Sequence, residues 1–168
     1  MTDKARSIGL ILFCQVAAMT LWFSATAAAV ALVADGTLSG QQAGLLTGAV
    51  QLGFVAGTLL SALTGMADRF DPRRLFAASA LCGALANLLL LVTGFDNAAT
   101  VMLRFLTGMT LAGVYPVGMK MAAGWSQKGM GLMIGVLVGA LTLGSSLPHL
   151  FNAMVGLDWR TTILVSSL

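Results

Sequence analysis

Five long apolar stretches fill the chain, separated by short polar connections, and each is about as long as a helix needs to be to cross a bilayer. They lie at 8–33, 42–66, 75–92, 98–119 and 129–154, and a further apolar run at 161–168 stops far short of spanning. Backbone donors and acceptors cannot be left unpaired in hydrocarbon, so each stretch is expected to be helical. The pattern predicts an all-α integral membrane protein with five complete transmembrane helices plus the start of a sixth. The first run is long and is not followed by a small-residue cleavage pattern and a polar chain, which argues against a removable leader. The connections at 34–41, 67–74, 93–97 and 120–128 leave no room for a soluble domain, so successive helices are expected to be antiparallel near neighbours.

Composition removes the soluble alternative. Hydrophobic residues make up 58% of the chain, charged residues 9%, and the mean hydropathy is +0.92, whereas a soluble domain carries about a quarter of its residues charged. A soluble fold of 168 residues would have to cover roughly a third of its unfolded surface with polar groups, and this chain lacks them. There is no glutamate, and Asp3, Asp35, Asp68, Asp71, Asp96 and Asp158 all lie between apolar runs or at the amino terminus. Placing the amino terminus inside gathers Lys4, Arg6, Arg69, Arg73, Arg74, Lys120 and Lys128 on the cytoplasmic face and leaves Arg160 outside with Asp35, Asp96 and Asp158. The net charge of +3 therefore reports topology in a plasma membrane, read here as a bacterial inner membrane, and no nucleic-acid partner is expected. No Walker loop, histidine cluster or acidic ligand set is present, so no cofactor, metal or enzymatic chemistry is expected. Cys14 and Cys82 lack a CxxC or histidine companion and are read as small buried hydrophobes.

The charge that remains is concentrated. Thr64-Gly-Met-Ala-Asp-Arg-Phe-Asp-Pro-Arg-Arg74 joins the second and third stretches. Asp68 is expected to accept hydrogen bonds from backbone donors at a helix start, and Arg69 and Arg73 to pair with carboxylates or helix carbonyl ends. The alternative is that Arg69, Arg73 and Arg74 only hold the loop inside. The run resembles the Gly-x-x-x-Asp-Arg-x-Gly-Arg-Arg loop between the second and third helices of major facilitator superfamily transporters. Asp68, Arg69, Arg73 and Arg74 match it by position, while Thr64, with Gly65 beside it, and Asp71 replace the two glycines. The resemblance covers essentially all of 1–168. It implies the N-terminal six-helix domain of such a transporter, truncated in helix six, and a missing C-terminal half. It also implies a part for Asp68 and Arg69 in the inward–outward switch.

Within the spans, Arg104 stands out. It lies roughly six residues, or about 9 Å, below the external helix end, and so deep an arginine must face protein or water or else snorkel to the interface. Arg104-x-x-x-Gly108 resembles the family's fourth-helix motif, which implies a place near a central cavity and suits an anionic substrate or a coupling carboxylate. Gln15, Met19, Trp22 and Thr26 form a stripe at helical spacing, and Gln51, Asn87 and Tyr115, with a bend at Pro116, add hydrogen-bonding groups to a candidate substrate path. Each of these also reads as packing. Gly131, Gly135 and Gly139, followed by Gly144 and Pro148, predict a groove for close helix packing. His149 is either an anion or proton group or an interfacial residue.

The expected function is secondary transport of a small solute, an organic or inorganic anion, by alternating access between two six-helix halves. The resemblance makes protons the default coupling ion, as in a symporter. Proton-coupled efflux of a drug or metabolite, and a non-transporting membrane assembly subunit, stand as alternatives.

Overall fold

The computed structural model describes residues 3–95, 97–125, 131–132, 134–139, 142 and 159–168. Those residues form helices α1 (Asp3–Ala34), α2 (Gly40–Thr64), α3 (Met66–Arg69), α4 (Pro72–Leu88), α5 (Leu90–Thr93), α6 (Ala98–Leu111), α7 (Tyr115–Trp125) and α8 (Trp159–Ser167). Four stretches among the described residues are long and apolar enough to cross a membrane: Arg6–Ala34, Gly40–Thr64, Pro72–Thr93 and Ala98–Gly124. The sequence led us to expect five. The fifth, 129–154, falls largely outside the described residues, which include only 131–132, 134–139 and 142 of it.

Helix ends follow from side-chain chemistry at each connection. Ser39 starts α2 with a reciprocal cap: its hydroxyl accepts from the Gln42 backbone N–H at 3.2 Å, and the Gln42 side chain accepts from the Ser39 N–H at 2.9 Å. Gly65 ends α2 at φ 65°, the left-handed geometry that glycine adopts without a Cβ penalty. Asp71 caps α4, accepting from the backbone N–H of Arg73 at 2.8 Å and of Arg74 at 3.4 Å, with Pro72 in the first turn where no N–H is needed. Asn97 caps α6 through the Thr100 N–H at 3.0 Å.

The fourth crossing is not one continuous helix. Residues 112–114 turn, with Gly113 N–H on Thr110 O and Val114 N–H on Leu111 O, before α7 begins. Pro116 has no N–H to return to Ala112, so the ladder must break there. Beyond the break α7 runs to Trp125. Lys120, expected in a connection, is therefore helical.

Glycine sets the closest approach in the bundle. A Cβ at Gly53 of α2 would collide with the Phe105 carbonyl of α6, one at Gly57 would meet the Met109 carbonyl, and one at Gly108 would collide with the Val50 carbonyl. The two backbones touch, as helices do in lipid when small residues recur four apart. Around this contact, Ala18, Met19, Leu21, Leu111 and Val114 form one buried cluster, and Ala25, Ala28, Ala29, Leu32, Leu46, Leu90, Phe95 and Ile163 are part of another. Large apolar residues such as Leu63 and Val92 point outward, where hydrocarbon rather than water is the solvent.

One packing expectation is left without a described partner, and another is corrected. Gly131, Gly135 and Gly139 are exposed, and a Cβ on any of them would meet no described atom within 4 Å, so no described helix sits in the groove they were expected to form. Gly144 and Pro148 lie outside the described residues. Cys14 and Cys82 are exposed rather than buried, Cys14 on a cavity between α1, α4 and α7 and Cys82 on the surface of α4.

Gly53→Val, which inserts three carbons against the α6 backbone, should lower the thermal midpoint in detergent by the equivalent of about 1–3 kcal/mol or more. Gly44→Val, in open space on the same helix, should leave the midpoint nearly unchanged. Equal effects of the two substitutions would show that the α2–α6 contact is not tight.

Candidate functional site

Arg104 is 1% exposed and turned inward onto α1. Its Nη1 donates to the Leu21 carbonyl at 3.3 Å and its Nη2 to the Trp22 carbonyl at 2.9 Å. The side chain does not snorkel outward; main-chain oxygens of the neighbouring helix take up its donors instead. Carbonyl dipoles solvate the guanidinium without neutralising it. Among the described residues, the ion pair that forms is at the other end of α6–α7, so Arg104 keeps an uncompensated positive charge.

The local sequence of α1 explains why these carbonyls can accept. Leu21 O also receives the Ser24 hydroxyl at 3.4 Å, and Trp22 O the Thr26 hydroxyl at 3.3 Å. Hydroxyls that bond back to a preceding carbonyl tilt it away from the helix axis and out toward a neighbour. Trp22 is half-buried, with its ring edge-on to Phe54 of α2 at 5.3 Å.

The other expected path residues separate into groups. Gln15 is buried beside α7: its Nε2 donates to Tyr115 O at 3.4 Å, its Oε1 accepts no hydrogen bond, and its amide fills the space a Cβ on Gly118 would need. Tyr115 is half-buried and packs against the cluster around Leu111. Asn87 is fully buried and donates to Ser24, Ser166 and Ser167. Gln51 is exposed on α2, away from Arg104's carbonyl contacts. His149 lies outside the described residues. Arg104, Trp22 and Asn87 therefore converge on one turn of α1, Gln15 and Tyr115 meet nearby on α7, and Gln51 joins neither group.

The charged loop is rearranged relative to expectation. Asp71, not Asp68, caps the third crossing, because Asp71 immediately precedes Pro72 at the helix start. Asp68 instead pairs with Lys120 of α7 at 2.5 Å, and the same ammonium donates to Ala67 O at 2.7 Å. The Lys120 hydrogen bond, and then its charge, lower the Asp68 carboxyl below its ordinary value. Arg69, Arg73 and Arg74 are exposed. A cavity of about 690 Å³ lies between α1, the start of α4 and α7, lined by Ser7, Cys14, Asp71, Arg73, Phe76 and Met121 among others, and Arg104 takes no part in it.

The contacts of two of these partners were not readable from the sequence. Lys120 reads as a loop cation until the helix is seen to run through it. Ser24 sits in an apolar run, and its place three residues from Leu21, facing Asn87, is legible only once α1 and α4 are packed.

A bundle of apolar helices with a buried, uncompensated arginine and a polar seam between its first and fourth crossings has the architecture of a membrane carrier. The Major Facilitator Superfamily model matches residues 11–168, and the chain belongs to that family. It is a multi-pass membrane protein of the secondary-transport class, whose members carry small molecules across the bilayer and are not enzymes. No curated protein and no solved structure matches the chain.

Because its folded pKa is depressed, Asp68 contributes to the loop–α7 contact at and above the ordinary carboxylate range, and the contribution is lost as pH falls through the lowered value. Carboxyl ¹³C titration should place the Asp68 midpoint below 3.8 in the native chain and move it upward in Lys120→Met. A midpoint indifferent to Lys120→Met would remove the pair.

Proposed function

We propose that the chain is one half of a carrier that takes up a small organic or inorganic anion by alternating access, with Arg104 as the fixed positive charge of its central site. The observation that carries this reading is the buried guanidinium that, among the described residues, is held by neutral carbonyls and by no carboxylate. A cation solvated by dipoles attracts an anion in a low-dielectric interior, whereas one paired with a carboxylate would not. Two of its N–H groups are engaged on α1, and the planar fork leaves others for a carboxylate or phosphate-like oxyanion.

On this reading the amino terminus is cytoplasmic in a bacterial inner membrane, so the Asp68–Lys120 contact lies on the inner face, where its making and breaking would accompany the rocking of the halves. The second half completes the site and contributes the carboxylate through which protons are coupled. The described spans of this half contain no acidic side chain.

The test is uptake by the complete two-half transporter in proteoliposomes. Arg104→Lys, which keeps the charge and loses the fork, should raise the KM for anions. Arg104→Ala should lower kcat/KM by about ten- to a hundredfold, the scale of a lost charged hydrogen bond, with membrane insertion intact. Unchanged uptake and affinity in both variants would overturn the anion site.

A further inference from the structure

The polar side chains nearest Arg104 have their hydrogens engaged elsewhere. On α6, about one turn to either side of it, Thr100 donates to Gly94 O at 2.7 Å and Thr107 to Leu103 O at 2.8 Å. On α1, Ser24 donates to Leu21 O and Thr26 to Trp22 O. The Asn87 amide hydrogens face three serine oxygens. A hydroxyl has one hydrogen to give, so these hydroxyls offer a ligand acceptors rather than donors. Charge is as sparse as donors. Among the described residues Arg104 is the one charged side chain buried in a span, since Arg6, Arg73, Arg74 and Lys120 lie near span ends.

Such a seam suits some anions and not others. Sulfate or phosphate has oxygens on all sides, and each one left without a donor in a dry interior costs free energy. A divalent ion would also carry a charge that one guanidinium cannot balance. A carboxylate keeps its two oxygens at one end, where a single fork can hold them. The rest of such a molecule then needs apolar surface, and Trp22 provides it. The residue whose carbonyl holds Arg104 Nη2 carries a half-buried ring, edge-on to Phe54 with centroids 5.3 Å apart. The Phe54 backbone lies against Gly108, one turn along α6 from Arg104. Charge and aromatic wall therefore stand side by side, the pairing of one placed polar group with apolar lining that small-molecule sites use.

We infer that the site takes a monovalent organic carboxylate with an apolar body, the carboxylate on Arg104 and the body on the Trp22–Phe54 pair, and that Trp22 determines this preference. This rests on the anion-carrier reading above and narrows it to one class of anion.

The experiment is calorimetric titration of the complete two-half transporter in detergent with acetate, butyrate, hexanoate and sulfate. From acetate to hexanoate the Kd should fall about two- to fourfold for each added methylene, and sulfate should bind more weakly than butyrate. Arg104→Lys should weaken all three carboxylates alike. Trp22→Ala removes the ring but keeps the carbonyl, so it should flatten the series, costing hexanoate far more than acetate. If Trp22→Ala does not fold, Phe54→Ala, on the other side of the pair, should flatten the series in its place. A flat series in the parent, a slope that survives the aromatic substitution, or sulfate bound more tightly than butyrate, with binding weakened by Arg104→Lys, would overturn this inference and leave the anion site standing. If none of these anions binds, or none responds to Arg104→Lys, the anion reading falls and this inference falls with it.

Discussion

Hydrocarbon offers no hydrogen-bond partner, so every polar group carried into the bundle has to find one inside it, and Arg104 does so on the main chain of α1. That contact ties the first crossing to the fourth. The position of the remaining polar residues follows from it: the hydroxyls of Ser24 and Thr26 share the same two carbonyls, and Asn87 is drawn in behind Ser24. An aspartate or glutamate beside Arg104 would have satisfied it more strongly, but would also have cancelled its charge.

The glycine contact and the arginine contact divide the work of holding α6. Gly108 lies four residues after Arg104 and brings the α6 backbone against α2, where van der Waals packing is the main attraction available in lipid. Arg104 fastens the same helix to α1 by hydrogen bonds. Below the break at 112–114, α7 is attached differently, through Gln15 to α1 and through Lys120 to the Asp68 loop. The two parts of one crossing thus make separate attachments, one at the buried charge and one at the exposed ion pair.

Much of this was legible in the chain. The lengths of the apolar runs and the exclusion of charge from them gave the all-α membrane fold, and Asp68-Arg69 with Arg73-Arg74 gave the family. Asp71-Pro72 is itself a helix-start signature, and reading it as one would have assigned the cap to Asp71 and freed Asp68 for another partner. The glycines were harder, since Gly53, Gly57 and the 131–139 stripe have the same spacing and only the packing of α2 on α6 separates them. Cysteine burial was not legible at all. In a bilayer both faces of a helix are apolar, so a small hydrophobe at an exposed position, such as Cys82, leaves no mark in the sequence. The depth of Arg104 was readable, but its direction was not, because an arginine that snorkels and one that turns inward differ only in what the neighbouring helix presents.

The hold of α1 on Arg104 is the central claim, and it can be measured as a distance. Trp22-Phe23 is the one Trp-Phe pair in the sequence, so ¹³C-carbonyl tryptophan with ¹⁵N-phenylalanine selects the Trp22 carbonyl in a solid-state NMR spectrum of the chain in lipid. Dipolar recoupling to ¹⁵N in arginine side chains should report a guanidinium nitrogen about 4 Å from that carbon, the separation across a hydrogen bond, and Arg104→Lys should abolish the coupling. No coupling in the unsubstituted chain, or one that survives Arg104→Lys, would contradict the account.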